Sequence, residues 1–485
     1  MVFSSPTFLF LFLPLTMLGY HLLPVRGRLR NWWLLIMSVL FYYWGAGSAI
    51  GAILWVSVFS FGAAWAMWRY AKRRHRVGQS PLKRVPLAVA LAIILVPLVL
   101  FKYLPQLAVQ GVPGAVHLAA LTGAESWILP LGVSFFTFHG ISYVIDSYRN
   151  GAPLTRSFPS YLLYLFVFPH QIAGPIVRYA EIRDEIESSR RIAARRFGYG
   201  ATRFAWGLAK KVLIADSAGQ LANAMFDSAA YSGQLSMATA WIGALAYAVQ
   251  IYFDFSGYSD MAIGLAAMFG FHFPENFRSP YTSHSVSEFW RRWHITLTRW
   301  FRDYVYIPMG GNRRGRLVEY GALLTVFALT SIWHGALAGF LLWGALQAAA
   351  MLVERATGLR DSKRFLLLRR VLTAFFVVLA WVPFRTTELD ASFRIWRAMF
   401  FGSADFIAPQ VITAITPFTL GALIIGLLAF FSTPKRTAFE VLFRPSLTDQ
   451  TVAVVRAWLI ATPLFVVTIV MVLLSDFSPF LYFQF

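Results

Sequence analysis

Long apolar runs, interrupted at short intervals by polar clusters, set the pattern of this chain. Runs at 2–24, 31–45, 47–68, 85–104 and 127–147 are each close to the ~20 residues a helix needs to cross the hydrocarbon core. Further runs lie at 237–253, 256–272, 317–337, 339–354, 366–386, 412–431 and 452–475. Lipid leaves backbone groups no partner but one another, so runs of this kind form helices. The pattern predicts an all-α, polytopic integral membrane protein of about 11–12 transmembrane helices with re-entrant or interfacial helices between them. Gly45-Ala-Gly47 reads as the tight turn between the second and third spans. The whole chain, 1–485, reads as one membrane-embedded domain.

Four stretches do not fit a plain span. Residues 158–176 are apolar but carry Pro159, Pro169 and Pro175, with Gly174 between the last two. Proline breaks the helical ladder, and broken backbone at membrane depth needs protein or a cavity around it; a re-entrant segment is expected. Residues 178–196 mix both charge signs and predict a solvated cytoplasmic helix. Residues 197–215 are amphipathic, with Lys210 and Lys211, and predict an interfacial helix. Residues 275–315 interleave Trp290, Trp293, Trp300, Tyr304 and Tyr306 with arginines, a pattern suited to the headgroup level.

Composition supports the membrane class. Hydrophobic residues make up 58% of 485 and charged residues 13%, about half the charge fraction of a soluble domain. There is no cysteine, which excludes disulfides, thiolate metal sites and a thiol nucleophile. The net charge of +21 does not point to nucleic acid, because the bases sit in short loops between apolar spans, as the positive-inside rule expects. Arg26, Arg28 and Arg30 form one cluster. Arg69, Lys72, Arg73, Arg74, Arg76, Lys83 and Arg84 form a second, and Arg291, Arg292, Arg299, Arg302, Arg313, Arg314 and Arg316 a third. The alternating loops at 105–126 and 387–408 are poor in net base, the latter carrying Glu388, Asp390 and Asp405. Both termini are expected outside, and residues 8–20 are expected to belong to a retained first span.

Polar groups stand out against this background, and such groups inside a membrane are functional candidates. His334 lies in a stretch without a charged residue from Gly321 to Gly344, and imidazole is suited to accept and return a proton near neutrality. Asp254, Ser256, Ser259 and Asp260 surround Gly257 between two predicted spans. They could cap the second helix or line a polar cavity, with capping favoured for the serines. In 287–308, a continuous helix would bring Arg291, His294, Thr298 and Arg302 together. Arg291 and Arg292 would suit a phosphate-bearing substrate or lipid headgroups. His170 and Gln171 lie on the proline-broken segment. A zinc site from His170, His294 and His334 lacks an i, i+4 histidine pair and an adjacent carboxylate, so no metal is expected.

Five motifs occur in order. They are Phe168-Pro through Ile172-Ala-Gly-Pro-Ile-Val-Arg-Tyr179, Gly207-Leu-Ala-Lys-Lys-Val-Leu-Ile-Ala-Asp216, Tyr252-Phe-Asp-Phe-Ser-Gly-Tyr-Ser-Asp-Met-Ala-Ile-Gly264, Glu288-Phe-Trp-Arg-Arg-Trp-His294 and Trp333-His-Gly335. Together they resemble the membrane-bound O-acyltransferase (MBOAT) family, and within it the bacterial enzymes that O-acetylate alginate and other polysaccharides. The resemblance runs over nearly the whole chain. It implies helices around a central channel in the bacterial inner membrane, and a single acyltransferase domain. It also implies transfer of an acyl group from a cytoplasmic donor, acetyl-CoA, to an extracytoplasmic polysaccharide with periplasmic partner proteins, and no bound cofactor. His334 is the catalytic histidine by this resemblance and His294 the second signature residue. Arg291, Arg292, Trp293, Trp333, Asp254, Asp260 and His170 are the expected substrate-binding set. The chain departs from its relatives at Leu337-Ala-Gly-Phe340 and Leu346-Gln347-Ala348, beside the expected site.

On this reading His334 takes a proton from the acceptor hydroxyl as it attacks the thioester carbonyl. His294, a tryptophan N–H or a backbone N–H would face the developing oxyanion. Two alternatives remain open at this stage: a flippase for a lipid-linked or acylated sugar, against which the lack of an internal repeat counts, and a D-alanyl transferase of the same family.

Overall fold

A computed structural model of the chain describes residues 2–25, 28–76, 84–123, 127, 129–231, 235–362, 364–403, 407–431, 438–443, 457–474 and 480–481. Arg26, Lys83, Asp405, Met1 and residues 482–485 lie outside the described residues, and with them the expected placement of both termini. The described residues form helices and no strand, so the fold is all-α. Four helical runs are long and apolar enough to cross a membrane: Leu29–Arg73, Val85–Val109, Arg316–His334 and Leu366–Thr386. Phe8–Leu22, Pro417–Phe430 and Leu459–Leu474 are shorter apolar helices. The chain divides into two compact units. The first is Met1–Ala201 with Ala262–Pro274, the second Thr202–Met261 with Glu275–Phe485.

In the first unit, the helix Leu29–Ala46 stops at Gly47, whose φ of 53° suits glycine, and Ile50–Arg76 follows after one 3-10 turn. The helix break therefore falls at Gly47–Ala49, with Gly45 and Ala46 still in the first of these helices, rather than at Gly45-Ala-Gly47. The proline-rich segment is broken, as expected, but two of its three prolines begin helices rather than interrupt them, and Pro175 lies in irregular backbone. Pro159 and Pro169 each occupy the first turn, of Phe158–Phe166 and Phe168–Gln171, where a missing N–H costs nothing. The helix predicted over 178–196 is shorter: it spans Tyr179–Glu187, and Ser188 is extended. The reason is Arg190, which is buried. Its guanidinium donates to Tyr20 Oη at 3.1 Å and to Asn31 Oδ1, and lies 4.2 Å from the centre of the Phe271 ring. A continuing solvated helix would not bury that charge.

Further along the chain, three expectations change. Residues 237–253 and 256–272, predicted as two spans, form one unbroken helix, Met237–Met268. Asp254 to Asp260 lie in its middle, so Ser256 and Ser259 cap nothing. Residues 197–215 are helical and amphipathic, as expected, but not a simple interfacial helix. The helix Ala194–Ala209 widens into a π turn at Lys210–Ala215, and both lysines are buried. The segment 287–308 is not one helix either. Val286–Arg292 and Ile295–Phe301 are separated by Trp293 and by His294, whose φ is 43°.

Candidate functional site

His334 is the last residue of Arg316–His334. Gly335 is extended and the chain returns as Ala338–Ala356. The His334 imidazole is 4% exposed and is enclosed by aromatic rings. Trp333 lies at 4.6 Å, Phe384 at 4.8 Å, Trp343 at 5.3 Å and Phe340 at 5.9 Å between ring centres. Phe384 comes from Leu366–Thr386, whose end is tied to the start of the returning helix by the Gly339 N–H donating to the Thr387 carbonyl at 2.8 Å. A titratable ring inside a wall of indole and phenyl is shielded from water, a setting in which electrostatic interactions are strong.

The Arg-Arg-Trp-His segment packs against the same indoles. Trp293 lies 5.0 Å from Trp381, which stacks on Trp343 at 6.1 Å, and His294 lies 6.3 Å from Trp333. Trp293, His294, Trp333 and His334 thus belong to one buried aromatic cluster. Two side chains of Ala338–Ala356 hold the short helix Val286–Arg292 in place. Gln347 Oε1 accepts from Trp290 Nε1 at 3.1 Å, and the Glu354 carboxylate accepts from the backbone N–H groups of Val286 and Ser287. A carboxylate at a helix N-terminus satisfies otherwise orphaned donors. Gln347, one of the departures from the relatives' pattern, therefore has a defined partner beside the cluster.

The two arginines of the motif differ. Arg291 is exposed. Arg292 is bound to Glu288 at 2.6 Å, and Glu288 also accepts from the His284 backbone N–H at 2.9 Å. Any anion approaching Arg292 meets a guanidinium already neutralised.

Asp254 and Asp260 are held by cations of the neighbouring helical segment. Asp254 Oδ1 is 2.8 Å from Lys211 Nζ, and Oδ2 accepts from the Leu481 N–H at 2.9 Å. Asp260 accepts from Arg203 Nε at 2.8 Å and from Lys210 Nζ at 3.0 Å, while Arg203 also bridges to Glu275 at 2.8 Å. Between these pairs the backbones nearly touch. A Cβ on Gly207 would lie 2.5 Å from the Gly257 carbonyl oxygen, and one on Gly257 would lie 2.8 Å from that of Gly207. Arg203, Gly207 and Lys211 therefore meet Asp260, Gly257 and Asp254 in antiparallel order, one helical turn apart. Arg203 was not singled out from the sequence. The signal was present as cation, glycine, cation at i, i+4, i+8 facing anion, glycine, anion at i, i+3, i+6.

His170 belongs to the first unit and is fully buried. Its Nε2 donates to the Tyr164 carbonyl at 2.7 Å, and its ring stacks on Phe273 at 5.1 Å and lies 4.6 Å from His139. His139, equally buried, also went unnoticed in the sequence. Among the described residues, no three His, Asp or Glu side chains are grouped so as to hold a metal ion.

The family profile of the membrane-bound O-acyltransferases matches residues 124–386. The chain belongs to the membrane-bound O-acyltransferase family. It is 39% identical to the probable alginate O-acetylase AlgI of Pseudomonas putida over the full length of both chains. It is 33% identical to a peptidoglycan O-acetyltransferase of Helicobacter pylori, over 82% of this chain and 80% of that one. A teichoic acid D-alanyltransferase of Bacillus subtilis is 28% identical over 46% of this chain. As an MBOAT member the protein is an enzyme of acyl transfer, and its apolar helices place it in a membrane.

Proposed function

We propose that this MBOAT enzyme takes an acetyl group from acetyl-CoA on the cytoplasmic side of the bacterial inner membrane and delivers it for O-acetylation of an extracytoplasmic polysaccharide. In this reading residues 1–485 act as a single acyltransferase domain surrounded by lipid, with both termini on the periplasmic side and a periplasmic partner protein receiving the acetyl group or the acceptor. Identity over the full length to the alginate O-acetylating relative, and over 82% of the chain to the peptidoglycan one, supports acetyl as the group and a saccharide as the acceptor. The shorter, more distant match to a D-alanyl transferase favours it over that alternative.

The observation that carries the reading is His334 in its aromatic enclosure at a helix end. His334 serves as general base: it takes the proton of an acceptor hydroxyl as the oxygen attacks the thioester carbonyl. The new C–O bond forms, the C–S bond breaks, and the proton passes from His334 to the leaving thiolate. Trp333 and Trp293 wall the cavity in which this happens. Exposed Arg291 attracts the phosphates of the donor, with Arg292, restrained by Glu288, assisting. Asp254 and Asp260 act through the ion pairs that fix the Met237–Met268 helix, and His170 lines the polar interior of its own unit.

The test is acetyl transfer in reconstituted membranes. Labelled acetyl-CoA is supplied on one face, and label on a saccharide acceptor is followed at the other, with candidate periplasmic partners present. The wild type should transfer label and the His334→Ala variant should not. Equal transfer by both would remove His334 from the chemistry.

A further inference from the structure

His294 has an unusual backbone and an informative neighbour. Its φ and ψ of 43° and 54° put a branched ring residue in the left-handed region, which costs on the order of 1–3 kcal/mol and persists only where the surroundings impose it. Here they do. The Ile295 N–H donates to the Asn276 carbonyl at 2.9 Å, and the Arg278 N–H donates to the Arg292 carbonyl at 2.9 Å. Residues 276–278 and 292–295 are clamped by these two bonds.

The clamp brings the fully buried Asn276 side chain to the His294 ring. Asn276 Oδ1 lies 3.2 Å from the Thr296 backbone nitrogen, 2.9 Å from Thr296 Oγ1 and 3.1 Å from His294 Nδ1. Asn276 Nδ2 donates to Ser259 Oγ at 3.2 Å. Oxygen and nitrogen of an amide are often interchangeable, but not in this position. A peptide N–H can only donate, so the atom facing Thr296 N is the oxygen. A carbonyl oxygen can only accept, so the His294 nitrogen facing it carries the hydrogen. A neutral imidazole with hydrogen on Nδ1 has its lone pair on Nε2.

We infer that Asn276 is a positioning residue that fixes His294, the second histidine of the acyl-transfer reading, in the Nδ1–H tautomer. The inference rests on the acyl-transfer reading above and changes one part of it. His294 in this form offers no donor to the carbonyl oxyanion, which the sequence had left open as its role. The Phe255 ring, edge-on to His294 at 4.7 Å, keeps the imidazole plane in place.

The tautomer is measured directly by nitrogen NMR on the full chain carrying 15N-histidine, reconstituted in lipid at mildly alkaline pH. The signals of His294 are assigned by their loss in the His294→Gln variant. A protonated Nδ1 with a bare Nε2 is expected. A bare Nδ1, or both nitrogens protonated, overturns the proposal without touching the acetyl-transfer reading, which stands or falls on the transfer assay. Two substitutions supply the functional arm. Asn276→Asp keeps an oxygen facing Nδ1 and should retain the tautomer and transfer within about tenfold. Asn276→Leu removes it and should lower transfer by on the order of 10²- to 10⁴-fold, as other losses of a tautomer-fixing partner do. Equal loss in both variants would overturn the positioning role. If Asn276→Leu does not fold, the spectrum of the wild type decides.

Discussion

Asp254 and Asp260 meet cations, whereas His294 and His334 meet aromatic rings and an amide, although all four are buried in the same compact unit. The carboxylates are charged groups that would be expensive in an apolar interior, and Lys211, Lys210 and Arg203 offset that cost. Their chemistry is spent on one another. The histidines instead pack against rings, His334 among Trp333, Trp343, Phe340 and Phe384, and His294 against Phe255 with its Nδ1 facing the Asn276 amide. Buried polar residues in one unit thus divide into those paired charge to charge and those packed against rings and amides. Depth in the membrane does not distinguish the two classes; the chemistry of the partner does.

Breaking each side of this contrast should give opposite signatures. His334→Ala should leave the folded protein intact, with detergent melting temperature and elution profile unchanged, while removing the 10²- to 10⁴-fold that a general base supplies. Acetyl transfer in proteoliposomes measures this, and a melting temperature that fell in step with activity would place His334 on the structural side. Asp260→Ala should do the reverse. It removes the Asp260 carboxylate that pairs with Lys210 and one of the two carboxylates that hold Arg203, and should cost about 3–5 kcal/mol of stability, read by denaturation in detergent; any surviving folded fraction should still turn over. Gly207→Ala should cost about 1–3 kcal/mol by overpacking against the Gly257 carbonyl, checked in the same way. The smallest effect is expected from Glu288→Gln, which removes the carboxylate charge beside Arg292. Glu288 is buried, and Gln keeps a neutral acceptor for the His284 N–H, so stability should fall by about 1–2 kcal/mol, while the KM for acetyl-CoA should fall and become more sensitive to salt; an unchanged KM would take Arg292 out of donor binding.

Fold class was legible in the sequence because apolar runs have few possible outcomes in lipid. The break at the prolines of 158–176 was legible for the same reason. The continuity of Met237–Met268 was not. Asp254, Ser256, Gly257 and Ser259 look like a loop by composition, and only Lys211 and Arg203, some 40–60 positions earlier in the chain, make a helix possible there. The burial of Lys210 and Lys211 was missed through the same omission, since a lysine pair on an amphipathic run reads as surface until its carboxylates are found. His334 was visible as a titratable group with no charged neighbours in sequence, and His294 as part of the Arg-Arg-Trp-His motif. Asn276 was not, because its role depends on a backbone clamp between segments that composition would place in a loop. Arg190 ended a predicted helix for a comparable reason: its partners Tyr20 and Asn31 lie in the first spans.

The reciprocal approach of Gly207 and Gly257 has a consequence for how this enzyme can evolve. Most packed pairs drift together, one side chain shrinking as the other grows, and so leave a trace of covariation. Here each carbonyl occupies the space a side chain on the other glycine would need, so neither position has volume to trade. Across related enzymes these two positions should vary neither singly nor as a pair. A statistical search for correlated changes would pass over the contact that sets how closely the two helices lie.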